Sequence, residues 1–408
     1  MRILVYEYLS GGGAAREPIP PDVLSEGFGM LRTLISDFKE AGNNVATFLD
    51  KRLAAFNPPI KADNVIPASS WIQAKRSIEN VAGAFDAAYI IGPETNHTLQ
   101  ALVETIEKTS LTSLNCSSSA IEQVSNKMNL YKRLKQRGIN TPKTLMLDVS
   151  NKKEEISQLA ECQLEFPLMF KPLDGVSCSG SSIVHDKTQV AAAVAKIRKE
   201  SQDKHFLIQE YVEGTAVSVS LIVSDQGARP ISLNKQNLTI AKPGGTSSYD
   251  GGLVPFDDPL RQEAFAVAAK AVESFKNLKG YVGVDLVLTE KEAVVIEVNP
   301  RLTTSYVGLK QTADFSVAQA IAYSGLDNRL PDDVRLRGYS CFGKVKTTKP
   351  AARVLQKTYK LEDLVSPPFP TSTAGAYALL QHHGSTIDES VAGFTEARRH
   401  LHRILRGG

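Results

Sequence analysis

Tyr281-Val282-Gly283-Val284-Asp285-Leu286-Val287-Leu288, then Thr289–Glu292, then Ala293-Val294-Val295-Ile296-Glu297-Val298-Asn299-Pro300-Arg301 is the stretch on which the fold turns. Two runs rich in β-branched residues, joined by a short polar segment, predict a β-hairpin. Glu297 and Asn299 are two residues apart, so they share one face of their strand. A loop of odd length centred on Lys291 would set Asp285 directly opposite Glu297, whereas an even loop would shift the pairing by one. Acidic groups inside such apolar strands are costly unless paired or bound to metal. Asp285, Glu297 and Asn299 offer three oxygen ligands, a set that suits a hard cation such as Mg²⁺. The plainer reading pairs the two carboxylates with lysines as a structural network. That reading does not account for Asn299 and Arg301 arriving together, and Arg301 sits where a charge clamp on a transferring phosphoryl group would be useful.

Working outward, Phe166-Pro167-Leu168-Met169-Phe170-Lys171-Pro172 predicts an apolar strand with a lysine at its end. It runs into a loop of small residues that includes Ser177, Cys178, Ser179, Gly180 and Ser181. Backbone N–H groups in such a loop can wrap phosphates, and Lys171 adds a point charge. No GxxxxGK[ST] pattern is present, so this is not a Walker A loop. Cys178 has no histidine partner that the sequence identifies, which argues against a nucleophilic cysteine. Phe206-Leu207-Ile208-Gln209-Glu210-Tyr211-Val212-Glu213-Gly214 reads as a strand ending in an acidic hinge. Lys127, in Ser125-Asn126-Lys127, is a further candidate phosphate contact, although alone it reads as a solvated helix lysine.

The first ~120 residues alternate in the α/β manner. A strand near 3–8 precedes a helix near 24–41, and strands near 45–49, 87–91 and 111–114 follow, with a helix at 95–108 between the last two. A small parallel sheet is expected, with the loops at the carboxyl ends of its strands open to ligands. The tail 331–408 holds strand-like Tyr339–Lys346 and Ala376–Leu380 and a helix near 387–405, and reads as the closing part of the last lobe.

At roughly 100–200 residues per domain, 408 residues suggest two to four domains. The net charge, 47 − 44 = +3, gives no global field for gripping nucleic acid or an anionic membrane. No apolar run has the 18 or so residues of a membrane helix, and the apolar start, broken by Arg2 and Glu7, lacks the features of a signal peptide. The cysteines at 116, 162, 178 and 341 form no CxxC pair, which argues against disulfides and structural zinc. A cytoplasmic location is expected.

Lys127, the Lys171 strand and its loop, the hinge Gln209–Gly214, Asp285 and Glu297-Val298-Asn299-Pro300-Arg301 occur in the order of the ATP-grasp superfamily, which the chain resembles over roughly 115–325. The resemblance implies an α/β protein with α+β lobes. An N-terminal small parallel-sheet domain (1–118) would precede a first ATP-grasp lobe (119–214) and a second lobe with a C-terminal extension (215–408). ATP would lie between the two lobes. Lys127, Lys171, Ser177, Ser179, Gly180 and Ser181 would contact its phosphates, and Gln209, Glu210, Tyr211, Val212 and Glu213 would line the adenosine side. Asp285, Glu297 and Asn299 would hold Mg²⁺, with Mn²⁺ as a substitute. Arg301 and Lys171 would act on the reacting phosphoryl group. Many members carry a glutamate for the ribose where this chain has Ala216, which leaves that contact to another group such as Glu213.

Finer features are similar to the tyramine–glutamate ligases of methanofuran synthesis and their bacterial relatives. They are Glu7–Gly13, Pro93-Glu94-Thr95, Asn115-Cys116-Ser117, Ser232–Gln236 and Arg301–Tyr306. The resemblance implies small-molecule carboxylate and amine substrates. Glutamate would be activated at its γ-carboxylate as an acyl phosphate and joined to a tyramine- or tyrosine-like amine, in bacteria for a methylofuran-type one-carbon carrier. The expected substrate residues are Ser10, Gly11, Gly12, Gly13, Glu94, Asn234, Lys235, Arg301, Thr303, Thr304 and Ser305. A kinase on the same fold and a non-catalytic nucleotide-binding module are the alternatives, and a homo-oligomer stays open.

Overall fold

The structure, a computed structural model, describes residues 1–14, 17–148, 164–173, 180–201, 203–372 and 375–407. Three sheets organise it. The first holds five parallel strands, β1 (Arg2–Glu7), β2 (Asn44–Asp50), β3 (Asn64–Ala68), β4 (Ala87–Ile91) and β5 (Thr112–Ser113), in the order β3-β2-β1-β4-β5. Ile3 to Tyr6 and the whole of β4 are buried, as central parallel strands covered on both faces must be. The strand order reverses direction between β1 and β4. Their carboxyl ends therefore flank a crevice where α/β sheets place ligands. The amide of Tyr8 donates to the carbonyl of Ile91 (2.9 Å) and closes the floor of that crevice. The helix Pro21–Glu40 starts on a proline, whose missing N–H costs nothing at a first turn.

The second sheet is a small antiparallel lobe of β6 (Thr144–Asp148), β7 (Leu168–Pro172), β8 (Ser182–Val184) and β9 (His205–Glu210), ordered β6-β9-β7-β8. The helix Val190–Glu200 covers one face, and the rings of Phe170 and Phe206 stack at 5.8 Å in the core between them.

The third sheet has eight antiparallel strands. They are β10 (Thr215–Ser224), β11 (Gly227–Thr239), β12 (Ser248–Val254), β13 (Gly280–Leu288), β14 (Ala293–Asn299), β15 (Tyr339–Thr347), β16 (Leu364–Ser366) and β17 (Ala376–Gly384), in the order β14-β13-β10-β11-β12-β15-β17-β16. Strands β15 to β17 extend the sheet that carries the hairpin, so residues 339–384 are continuous with it. The two faces of the central strands differ because side chains alternate. Val217, Val219, Leu221, Val282, Val284 and Leu286 pack on the helix Arg261–Glu273. The other face presents Ser218, Ser220, Asp285 and Tyr281. Segments that escape the sequence reading include β3, the helices Trp71–Val81 and Ala352–Thr358, and β16. β3 is an exposed edge strand containing Pro67, so its apolar signal is weak.

Candidate active site

The hairpin β13–β14 forms with a four-residue connection, Thr289–Glu292, since Leu288 pairs with Ala293. Such an even loop would set Asp285 against Ile296. A β-bulge shifts the register after Leu286–Val295, and Asp285 pairs with Glu297 after all. Gly283 pairs with Asn299 on the same face. Asn299 Nδ2 donates to Asp285 Oδ2 and Gln236 Nε2 to Asp285 Oδ1, both at 2.9 Å. Gln236 is a member of this cluster that the sequence reading did not single out. Its spacing of two from Asn234 was the available signal, because both then face one way.

The cluster is electrically asymmetric. Burial, reinforced by the charge of Glu297, pushes the Asp285 carboxyl up to about 6. Burial alone would also raise Glu297, but Lys127 and then Lys171 outweigh it and hold its carboxyl below the usual range. Lys127 opens the helix Lys127–Gln136, capped by the side chain of Asn126, and its Nζ lies 3.4 Å from Glu297 Oε1. Arg301 comes from the turn after β14. Its Nε donates to Glu94 Oε1 at 2.8 Å, and Nη1 donates to the carbonyl of Leu302 at 3.0 Å. Burial opposes the guanidinium charge, but Glu94, then Glu297 and Asp285, raise its pKa above the ordinary value. Glu94 follows β4, so Arg301 meets the parallel sheet at its crevice. Three carboxylates (Glu94, Asp285 and Glu297), two carboxamides (Gln236 and Asn299) and three cations thus converge where all three sheets meet. Three oxygen donors, two of them half-buried carboxylates, fit a Mg²⁺ site.

The remaining sequence-predicted residues divide. Ser177 and Ser179 lie outside the described residues. Ser181 is buried, and its carbonyl accepts from Lys196 Nζ (2.7 Å) and Ser247 Oγ (2.8 Å), which ties the end of the loop at Gly180 to the third sheet. Gln209 turns into its own lobe and donates to Thr144 Oγ1 at 2.8 Å. Glu210 accepts from the Lys143 amide at 3.0 Å and pairs with Lys143 Nζ at 3.4 Å. Tyr211, Val212 and Glu213 form the open strap between the second and third sheets, with Tyr211 and Glu213 exposed.

On the substrate side, Ser10 donates its hydroxyl and its amide to Glu7 Oε2 (2.5 and 2.7 Å), so its side chain faces inward. Gly11, Gly12 and Gly13 wind tightly above β1, with Gly11 N–H donating to the Glu7 carbonyl and Gly13 N–H to that of Tyr8. Gly12 takes φ +99°, a conformation that favours glycine. Asn234 is fully buried among serines, whereas Lys235 points to the opposite face of β11 and lies over the Phe256 ring. The structure therefore does not bring those two neighbours together. Thr303 Oγ1 bonds Tyr281 and Ser305, and Thr304 donates to Glu26 Oε2 at 2.7 Å.

Comparison with known proteins agrees with this architecture. Residues 124–305 match the family described as ATP-grasp domain, and residues 44–121 match the pre ATP-grasp 3 domain. The chain is 31% identical to tyramine–L-glutamate ligase of Methanocaldococcus fervens over 310 residues, covering 76% of this chain and 89% of that protein. It is 25% identical to D-alanine–D-alanine ligase of Fusobacterium nucleatum over 281 residues, covering 65% of this chain and 79% of that protein. A crystal structure of a putative ATP-grasp superfamily protein from Archaeoglobus fulgidus superposes with a TM-score of 0.63 at 25% identity, covering 93% of this chain and 98% of that one. The chain belongs to the ATP-grasp family. Within that family it is an ATP-dependent carboxylate–amine ligase. No helix among the described residues is long and apolar enough to cross a membrane.

Proposed function

We propose that the enzyme joins L-glutamate, through its γ-carboxylate, to tyramine or a closely related amine, as a step toward a methylofuran-type carrier. The observation that carries this reading is the likeness to tyramine–L-glutamate ligase over 89% of that protein's length. In the proposed reaction the glutamate carboxylate attacks the γ-phosphorus of ATP and ADP leaves. The amine nitrogen then attacks the acyl phosphate, releasing phosphate and forming the amide.

The chain's own residues divide that work. Lys127 and Lys171, which now neutralise Glu297, would turn their charge to the phosphates. Asp285, Glu297 and Asn299 would hold Mg²⁺, whose chemistry there is to neutralise phosphate charge and orient the transfer. Arg301, oriented by Glu94, would face the transferring phosphoryl group and the acid. The strap Tyr211–Glu213 would lie along the adenosine, and Ser10–Gly13, Thr303, Thr304 and Ser305 would border the substrates.

Incubation with ATP, Mg²⁺, L-glutamate and a panel of amines tests the proposal, with ADP release and the amide followed by mass spectrometry. Amine-dependent ADP release with a γ-glutamyl amide is expected. A stable phosphorylated product would replace the ligase with a kinase, and turnover only with another acid would move the substrate assignment.

A further inference from the structure

Beneath the turn that carries Arg301 runs a chain of hydrogen bonds, buried at Ser232, Asn234, Ser220 and Tyr281 and half-buried where it reaches Thr303, whose buried members the proposed chemistry does not use. Ser232 Oγ donates to Asn234 Oδ1 at 2.7 Å, and Asn234 Nδ2 donates to Ser220 Oγ at 3.0 Å and to Ser218 Oγ at 3.2 Å. Ser220 Oγ shares a 2.7 Å bond with the Tyr281 hydroxyl, which bonds Thr303 Oγ1 at 3.0 Å. Thr303 Oγ1 in turn bonds Ser305 Oγ at 2.8 Å. Ser220, Ser232 and Asn234 have no exposed surface, and Tyr281 is 1% exposed. The opposite face of the same strands shows what a plain core looks like, being built from valine and leucine. An unpaired polar group in such a place costs free energy, so a satisfied set of them favours one arrangement.

The location gives that fixation a target. Register pairs Ser218 with Asp285, Ser220 with Gly283, and Gly283 with Asn299, so the network adjoins the carboxylate cluster. At Gly283 the sheet is notched. A Cβ there would stand 2.4 Å from Thr303 Cγ2, so the threonine in its present placement fills the space that glycine leaves. Thr303 is thereby held two residues beyond Arg301 and four beyond Asn299.

We infer that Tyr281 is a positioning residue, whose hydroxyl clamps Thr303 and so holds the 299–305 turn with Asn299 and Arg301 in working geometry. Its kinetic consequence rests on the ligase reading above, while the clamp itself does not. Misplacement of about 1 Å in such a group costs roughly a hundredfold in rate.

The test uses Tyr281→Phe, Thr303→Val and Thr303→Ser in the full-length enzyme, with two readouts. The first is hydrogen exchange at the amides of Arg301, Tyr306 and Val307, which donate to the carbonyls of Asn299, Thr303 and Thr304. Exchange about tenfold or more faster is expected in the Phe and Val variants, with wild-type rates in Thr303→Ser, because local opening is what exchange reports. The second is steady-state kinetics. A roughly ten- to hundredfold fall in kcat is expected in Tyr281→Phe, with the KM for ATP within about twofold. Unchanged exchange in both Phe and Val variants overturns the clamp. Faster exchange with unchanged kcat overturns its role in positioning. A wild-type enzyme without amine-dependent ADP release would defeat the ligase reading, and the exchange rates would still decide the clamp.

Discussion

At the scale of single residues, Asp285 and Glu297 show how a site can be legible in its membership and not in its charge state. Both stand in one hairpin, and the alternation of side chains already puts Glu297 and Asn299 on a common face. Nothing in the sequence says that the cations lie nearer Glu297 than Asp285, because Lys127 and Lys171 arrive from a helix and a sheet far along the chain. The resulting split has a thermodynamic sign. The folded Asp285 carboxyl titrates near 6 against an ordinary 3.8. Between those values the folded chain binds more protons than the unfolded one, so this group's contribution to stability falls as pH rises through the window. Above it the penalty is complete. Asp285→Asn should therefore stabilise the metal-free protein at pH 8 by about 1–3 kcal/mol while removing most ATP turnover. Urea melts at pH 4, 6 and 8 without added metal check it. A gain that fails to grow with pH would show that Asp285 is not carrying this burden.

At the scale of elements, the two strands of the hairpin were readable as apolar β-branched runs, but their register was not. The pairing of Asp285 with Glu297 depends on a bulge at Ile296 that compensates an even loop, and a bulge leaves no compositional mark here because Ile296 looks like any strand residue. The same limit explains Asn234 and Lys235. The resemblance implied both at the substrates, yet a strand sends neighbours to opposite faces, and period two separates them. The edge strand β3 is only five residues long, proline-bearing and mostly exposed, so it lacks the alternation that makes a strand visible. Strand β7 was visible, and it places Lys171 where its charge acts on Glu297 across the lobe boundary. Lys171→Ala should weaken ATP binding by about 1.5–3 kcal/mol, the range for a hydrogen bond to a charged group, with little change in melting temperature because the residue is only partly buried. Calorimetric titration with an ATP analogue measures it, and unchanged affinity would remove Lys171 from the phosphate site.

At the scale of the whole molecule, long-range polar connections hold the N-terminal domain against the third sheet and its flanking helices. Arg301 meets Glu94, Tyr306 and Ser316 donate to Asp37, and Lys344 meets Glu26. Each joins residues more than 200 positions apart, which no local pattern reveals. Of the two ion pairs, Lys344–Glu26 is the more enclosed, at 2.7 Å with side chains 6% and 8% exposed against 19% and 18% for Arg301 and Glu94. Glu26 also accepts from Thr304, so the pair ties the helix Pro21–Glu40 and strand β15 to the turn that follows Arg301. A buried pair of this kind gains little over an apolar replacement of both partners, but losing one partner strands the other charge. Lys344→Met alone should therefore destabilise the protein by about 3–5 kcal/mol. Adding Glu26→Gln, which keeps an acceptor for Thr304 without the charge, should recover most of that loss. A double-mutant cycle in urea, run on the two single variants and the pair, gives the coupling directly. Additive losses would mean that the two side chains are neighbours without interdependence, and that this pair does not hold the N-terminal domain on the sheet.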